Sequence, residues 1–287
     1  GHNGFGQLGD GTRRDRLVPV RVGETAVDEG DPLELAREAV GPAPPSPAVE
    51  RQFPDPRPDD HGVLNARDFG ATGDGSHLDQ EALQSAIEAA HEGGGTVVVP
   101  AGVYRTGTLT LLSGVRLHLA EGATLLGSTN RADYEPRALI HAEDARDIAI
   151  TGAGTLDANG GFCPNRGWRH NVIRMDDCEG VTIEGIATIN SGSWTQHYTR
   201  CRDMTLRNIR LACMRPGRNN DGLDLSGCED VLIEGCVIAS DDDCIVIKSM
   251  GADEQNRNIV ARNNIVYAYA SGFKLGTETR GVFEEIV

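Results

Sequence analysis

No run of apolar residues in this 287-residue chain approaches the roughly 18 that a membrane-spanning helix requires. Positive charge is also scarce: 27 Lys+Arg stand against 43 Asp+Glu, a formal net charge of −16. General binding to nucleic acid or to anionic membranes needs a basic footprint, so no nucleic-acid and no membrane partner is expected. An anionic substrate held by a few local cations is not excluded. The seven cysteines (Cys163, Cys178, Cys201, Cys213, Cys228, Cys236 and Cys244) contain no C-x-x-C pair, which argues against a zinc site or a thioredoxin-type motif. Their odd number leaves at least one thiol unpaired within the chain, and small buried hydrophobes are the role they fit best. The first residue is Gly1, with no basic-then-apolar leader behind it, so a mature form, an excised piece or a fragment is expected. What is present, 39% hydrophobic residues with 36 glycines, suits a globular, turn-rich protein with one sizeable core.

Proline, sparse elsewhere, marks a boundary. Seven of the 13 prolines fall between residues 41 and 58, and only four lie beyond residue 60. Residues 23–60, ending in GPAPPSPAVERQFPDPRPDD, hold too little apolar material to fold and read as an extended Pro-rich linker. Ahead of it, GHNGFGQLGDGTRRDRLVPVRV (residues 1–22) resembles one repeat of the regulator-of-chromosome-condensation type of β-propeller, from Asn3 to Val22. A single blade cannot bury its face without neighbours, so this segment reads as the remnant of a truncated array with no function of its own here.

The main body, residues 61–287, opens with one amphipathic helix. Leu83, Ala86, Ile87 and Ala90 recur at helical spacing, Asp79 favours the helix start, and Gly93 to Gly95 stop it. Thr96 to Val99 is a β-branched strand. From there the chain repeats itself: VTIEGIATINS, MTLRNIRLACM, VLIEGCVIASD and NIVARNNIVYA begin at Val181, Met204, Val231 and Asn258, in steps of 23, 27 and 27 residues. Cys178, Cys201 and Cys228 keep the same step just before the repeating strand. Three short strands per unit and a period in the twenties point to stacked coils whose like residues form ladders. A leucine-rich-repeat horseshoe would show L-x-x-L-x-L-x-x-N, which is absent. The expected fold is all-β, a right-handed parallel β-helix with an N-terminal capping helix over residues 79–92 and a truncated C-terminal end.

Acids and cations recur at equivalent places on neighbouring coils. Aligning Asp221-Gly222 with Asp243-Cys244 and Ser271-Gly272 gives steps of 22 and 28 residues, close to one coil each. With rungs roughly 4.8 Å apart, Asp221, Asp242 and Asp243 become near neighbours, and at least one of the three should have a raised pKa. A protonated carboxyl beside an ionised one is what glycoside hydrolysis needs. The spacing alone leaves open a solvated turn or a calcium site.

From about Leu64 onward the chain resembles the family-28 glycoside hydrolases, the polygalacturonases and their relatives in the pectate-lyase-like β-helix superfamily. NARDFGATGDG, ITGAGTLDANGG and NSGSWTQHYTRC resemble that family's N-terminal coils. Asn219-Asn220-Asp221-Gly222 corresponds to its N-T-D-G motif, and Asp242-Asp243-Cys244-Ile245 to its G-D-D-C-I motif. The resemblance implies inverting hydrolysis of a pectin-like polysaccharide, with Asp242 as general acid and Asp221 and Asp243 holding the hydrolytic water. It implies no cofactor and no metal, a monomer, and by analogy an extracellular or periplasmic site of action. Lys248 and Lys274, with Arg218 and Arg280, could bind a uronate carboxylate or equally compensate the aspartates. Trp194, His197 and Asn219 complete the expected substrate-binding set, while Asp157, Asp176 and Asp177 read as turn residues.

The departures are specific. The family's G-H-G motif falls at Ser271-Gly272, without a histidine. Asp241 replaces the glycine before the acid pair, and Asn220 replaces threonine. The family's later basic motif has no counterpart up to Val287. Two alternatives therefore stand beside hydrolysis: a polysaccharide lyase using a base such as Lys274, and a non-catalytic glycan-binding or adhesive β-helix.

Overall fold

A strand of three to eight residues cannot bury itself alone, but coils of such strands can stack, each covering the last. In the computed structural model, residues 55–57, 62–160, 169–213 and 219–287 are described. The propeller-type repeat, nearly all of the Pro-rich linker, Cys163 and Arg218 lie outside them. Strands alternate among three parallel sheets of nine, eight and seven strands, so each coil visits the first, second and third sheet in turn. This is the right-handed parallel β-helix.

The helix spans Gln80–Gly93 and buries Leu83, Ala86, Ile87 and Ala90. It stands in the first coil where later coils place a third-sheet strand, and it packs against Val63–Asn65, Thr96–Val99 and Leu109–Thr110, the position of a cap. Asp79 precedes it but makes no side-chain bond to the helix N-terminus. Its buried carboxylate instead accepts from Thr72 N, Thr72 Oγ1 and Gly73 N, pinning the preceding turn.

The core is a set of ladders. Val97, Leu117, Ile150, Ile183, Leu206 and Ile233 follow one another rung by rung inside the first sheet, all fully buried. In the third sheet the column Leu109, Ile140, Ile173, Gln196, Leu223, Ile245 is broken by one polar residue. Gln196 is satisfied there: Tyr198 Oη donates to its Oε1 at 2.7 Å, and its Nε2 donates to Thr188 Oγ1 at 3.2 Å. Cys178, Cys201 and Cys228 form the expected buried column. The six cysteines among the described residues are free and buried, and burial pushes the Cys228 and Cys236 thiols up to about 12, which makes them inert.

The register departs from the expected repeat once. Val181 pairs with Met204 and Met204 with Val231, but Val231 pairs with Ile259 and not with Asn258. Asn258 belongs one position earlier, with Asp147, Gly180, Asp203 and Asp230, all at positive φ. That position bends the strand in a left-handed conformation, which Asn, Asp and Gly tolerate best.

Candidate active site

Each coil turns from the second sheet to the third through a short polar segment. Two such turns, before Leu223–Ser226 and before Ile245–Ser249, carry Asn219 to Asp221 and Asp241 to Asp243. Leu223 pairs with Ile245 and Ile245 with Phe273, the expected steps of 22 and 28. The alignment runs on into the turns: Gly222 N donates to Asp243 O at 2.9 Å, and Cys244 N to Ser271 O at 2.8 Å. Asp221 and Asp243 therefore sit on adjacent rungs. Gly222 is required here, since a Cβ would lie 2.4 Å from Cys244 O and 2.7 Å from Ile238 Cγ2. In the following strand Leu223 and Leu225 point inward, so Asp224 and Ser226 take the outer face, and Val246 and Lys248 do so one coil later.

The three carboxylates differ in their partners. Asp243 is bound by Lys274 Nζ at 2.7 Å. Asp221 lies 3.5 Å from Lys248 Nζ, which is held closer, at 2.8 Å, by Asp224. Asp242 is the most open of the three and accepts from Asn219 Nδ2 at 2.6 Å; among the described residues it forms no ion pair. Burial, with Asp242 and Asp243 beside it, raises the Asp221 carboxyl to about 6 against the opposing pull of Lys248. Burial likewise pushes the Asp224 carboxyl well up.

The motif departures pack together. Asn220 N donates to Asp241 Oδ1 at 3.2 Å, and Asn220 Nδ2 donates to Ser191 O at 2.7 Å on the preceding coil. Ser240 Oγ donates to Asn220 O at 2.6 Å and accepts from Asp242 N at 3.0 Å, tying both aspartate turns to one hydroxyl.

The expected cationic strip takes another form. Lys248 is buried, with its ammonium 3.6 Å from the centre of the half-buried Trp194 ring. Both lysines thus compensate aspartates. Arg280 lies away from them, donating to Met250 O. His197 sits edge-on to Trp194, with ring centroids 5.0 Å apart, and faces Ser226 Oγ at 3.5 Å; no bond to Asp221 is made. Burial brings the His197 imidazole down to about 4, so it is neutral across the physiological range.

Two features were missed from the sequence. Asp224 is fully buried beneath the site. Asp176, expected in a turn, ends the strand Asn171–Asp176 on the outer face of the same sheet. There Arg174 at 2.7 Å and His141 at 3.7 Å offset its burial and hold it well below the usual carboxylate range. With Glu143, Thr199 and Arg200 these residues line an open recess of about 400 Å³, on the coils preceding the aspartates.

The fold and this arrangement define a parallel β-helix with carboxylates clustered on consecutive turns that lead into one of its sheets. The sequence model of "Glycosyl hydrolases family 28" matches residues 92–281, and the chain belongs to that family. A "Probable polygalacturonase" of Vitis vinifera is 28% identical over 257 residues, covering 76% of this chain and 52% of that protein. An "Exo-poly-alpha-D-galacturonosidase" of Dickeya chrysanthemi is 35% identical over 150 residues, covering 45% of this chain and 24% of that protein. The chain thus spans about half, or less, of the length of these relatives. Among solved structures, an exopolygalacturonase from Thermotoga maritima superposes with a TM-score of 0.70 at 26% identity, covering 88% of this chain and 71% of that one. No helix among the described residues is long and apolar enough to cross a membrane.

Proposed function

We propose that this chain carries the catalytic face of a glycosidase that hydrolyses O-glycosidic bonds of a pectin-like polysaccharide with inversion. The supporting observation is the meeting of Asp221, Asp242 and Asp243 on two consecutive turns, with cations paired, among the described residues, to Asp221 and Asp243. Lys248 pulls against the burial that raises Asp221, and Lys274 is bound to Asp243, which suits the pair to a basic role. Asp242 is the most open of the three, and the family resemblance gives it the part of the acid. In the reaction Asp242 gives a proton to the glycosidic oxygen as its bond to the anomeric carbon breaks. Water attacks that carbon from the opposite face and loses its proton to the Asp221–Asp243 pair.

A base poised near 6 is matched to mildly acidic or neutral conditions. The galacturonate character of the substrate is supported by the names of the relatives, and such a polymer would be met outside the cytoplasm. Lys274, the base a lyase would need, is committed to Asp243, which favours hydrolysis.

Replacing Asp242→Asn is expected to reduce turnover by about 10²–10⁴-fold while leaving thermal unfolding unchanged. Reducing-end release from polygalacturonate and from neutral glycans is the readout. Turnover at the parent rate would remove Asp242 as the acid, and an unsaturated product would replace hydrolysis with elimination.

A further inference from the structure

Lys248 projects from the outer face of its strand, yet it is only 4% exposed. Its ammonium is enclosed by Asp224 at 2.8 Å, Asp221 at 3.5 Å and the Trp194 ring at 3.6 Å. Asp224 is fully buried and Asp221 nearly so. To reach a sugar carboxylate, this ammonium would have to abandon two buried carboxyl groups, and an exposed ion pair returns far less than that loss.

Among the described residues the charged and titratable groups around Asp221 are few. Its own coil presents Asp224, and the preceding coil presents the neutral His197. The next coil brings Asp241, Asp242, Asp243 and Lys248, and the coil after it brings Lys274, bound to Asp243. Among the described residues Lys248 is therefore the one cation in contact with Asp221.

We infer that Lys248 is the internal counter-ion that keeps Asp221 ionised, with Asp224 anchoring its ammonium and Trp194 covering it, so that Lys248 is a positioning residue and not a clamp for the substrate. Asp224 is the nearer partner because it fixes where the charge sits, and Asp221 feels that charge at the site's edge. Burial and the neighbouring aspartates already hold Asp221 at about 6 with the ammonium in place, so its removal moves the carboxyl further up. The consequence for Asp221's titration stands alone, whereas the consequence for rate rests on the hydrolytic function proposed above.

The test uses the full chain with aspartate carboxyls labelled with carbon-13, the Asp221 signal being assigned by its loss in Asp221→Asn. Two variants are compared with the parent. Lys248→Met removes the cation, and Lys248→Met with Asp224→Asn removes cation and anchor together, so that no unpaired Asp224 is left to unfold the protein. In Lys248→Met the Asp221 midpoint is expected to rise by about one pH unit or more, and in the double variant by less, because the repulsion between Asp224 and Asp221 leaves together with the cation. The ratio of Lys248→Met to parent kcat/KM should then be about 0.1 near pH 5 and climb toward one by about pH 8. A substrate clamp would instead raise KM at every pH with the midpoint unmoved, and a structural brace would lower only the unfolding temperature. An unmoved midpoint in folded Lys248→Met, or a midpoint below the parent's in the folded double variant, overturns the inference, even if the chain is inert on every glycan. A moved midpoint on an inert chain supports the inference and counts against the hydrolytic function alone.

Discussion

Asp221 occupies a place that is costly for an ionised carboxyl, and that cost can be read as stability. Its carboxyl is raised from 3.8 to about 6 in the folded protein, so the native state binds more protons than the unfolded state between those values. Stability from this group is therefore fully present below about pH 4 and is lost as pH rises through about 6. A shift of about two units corresponds to about 3 kcal/mol, an order-of-magnitude figure for a group that is almost fully buried. Asp221→Asn removes the titration while Lys248 keeps Asp224 as its partner. The variant should gain about 1–3 kcal/mol over the parent near pH 8 and little near pH 4, as followed by thermal unfolding at both values. Asp221, Asp242 and Asp243 were legible in the sequence because each lies in a motif string with a recognisable turn. Asp224 was not: in Leu223-Asp224-Leu225 it is one polar letter in an alternating strand. Only the register, which places Lys248 one coil step and two residues further along, reveals its partner. Asp176 was hidden for the same reason, since Arg174 reaches it along the strand and His141 from the neighbouring rung.

At the scale of the element, the turn into the third sheet decides whether the carboxylates meet. Gly222 is the point where that turn closes on the next coil, with Cys244 O and Ile238 lying where a side chain would start. Gly222→Ala must push the two rungs apart, because one of the obstructing atoms is backbone and the other a packed core side chain. A loss of about 1–3 kcal/mol is expected in urea unfolding, the range typical of overpacking. The carbon-13 titration of Asp221 should change with it, since the same rung carries Asp243 beside Asp221. The step of 22 residues between these coils was readable from the motifs, and the ladder of short β-branched runs from their period. The slip at Asn258 was legible in composition though not read from it: Asn258 is polar where Val181, Met204 and Val231 are apolar, and it matches Gly180, Asp203 and Asp230 one position earlier. What settles it is the left-handed backbone at Asp230 and Asn258, joined by Asn258 Nδ2 donating to Asp230 Oδ1 at 2.7 Å.

Over the whole molecule, the outer face of the first sheet carries a charge pattern that runs across the coils. Arg146, Glu179, Arg202, Glu229, Arg257 and Glu284 follow one another on successive rungs with alternating sign. Glu184, Arg207, Glu234 and Arg262 repeat the alternation further along the same strands. The contacts are real, with Arg202 to Glu179 at 2.8 Å and Arg257 to Glu229 at 2.7 Å, but they are exposed and individually weak. Their collective effect is on pairing: omitting one coil from the stack would set like charges side by side on both columns at once, while the apolar ladders inside would tolerate it. In a chain of net charge −16, the arginines of these columns also bring scarce positive charge to where coils must adhere. Arg202→Glu would place three acidic side chains on consecutive rungs. At low ionic strength it should lower the urea midpoint more than the neutral Arg202→Gln, and salt at several times the physiological level should bring the two variants together, because the difference between them is screened repulsion and not lost packing. Equal midpoints at low salt would mean that the alternation does not contribute to the order in which the coils stack.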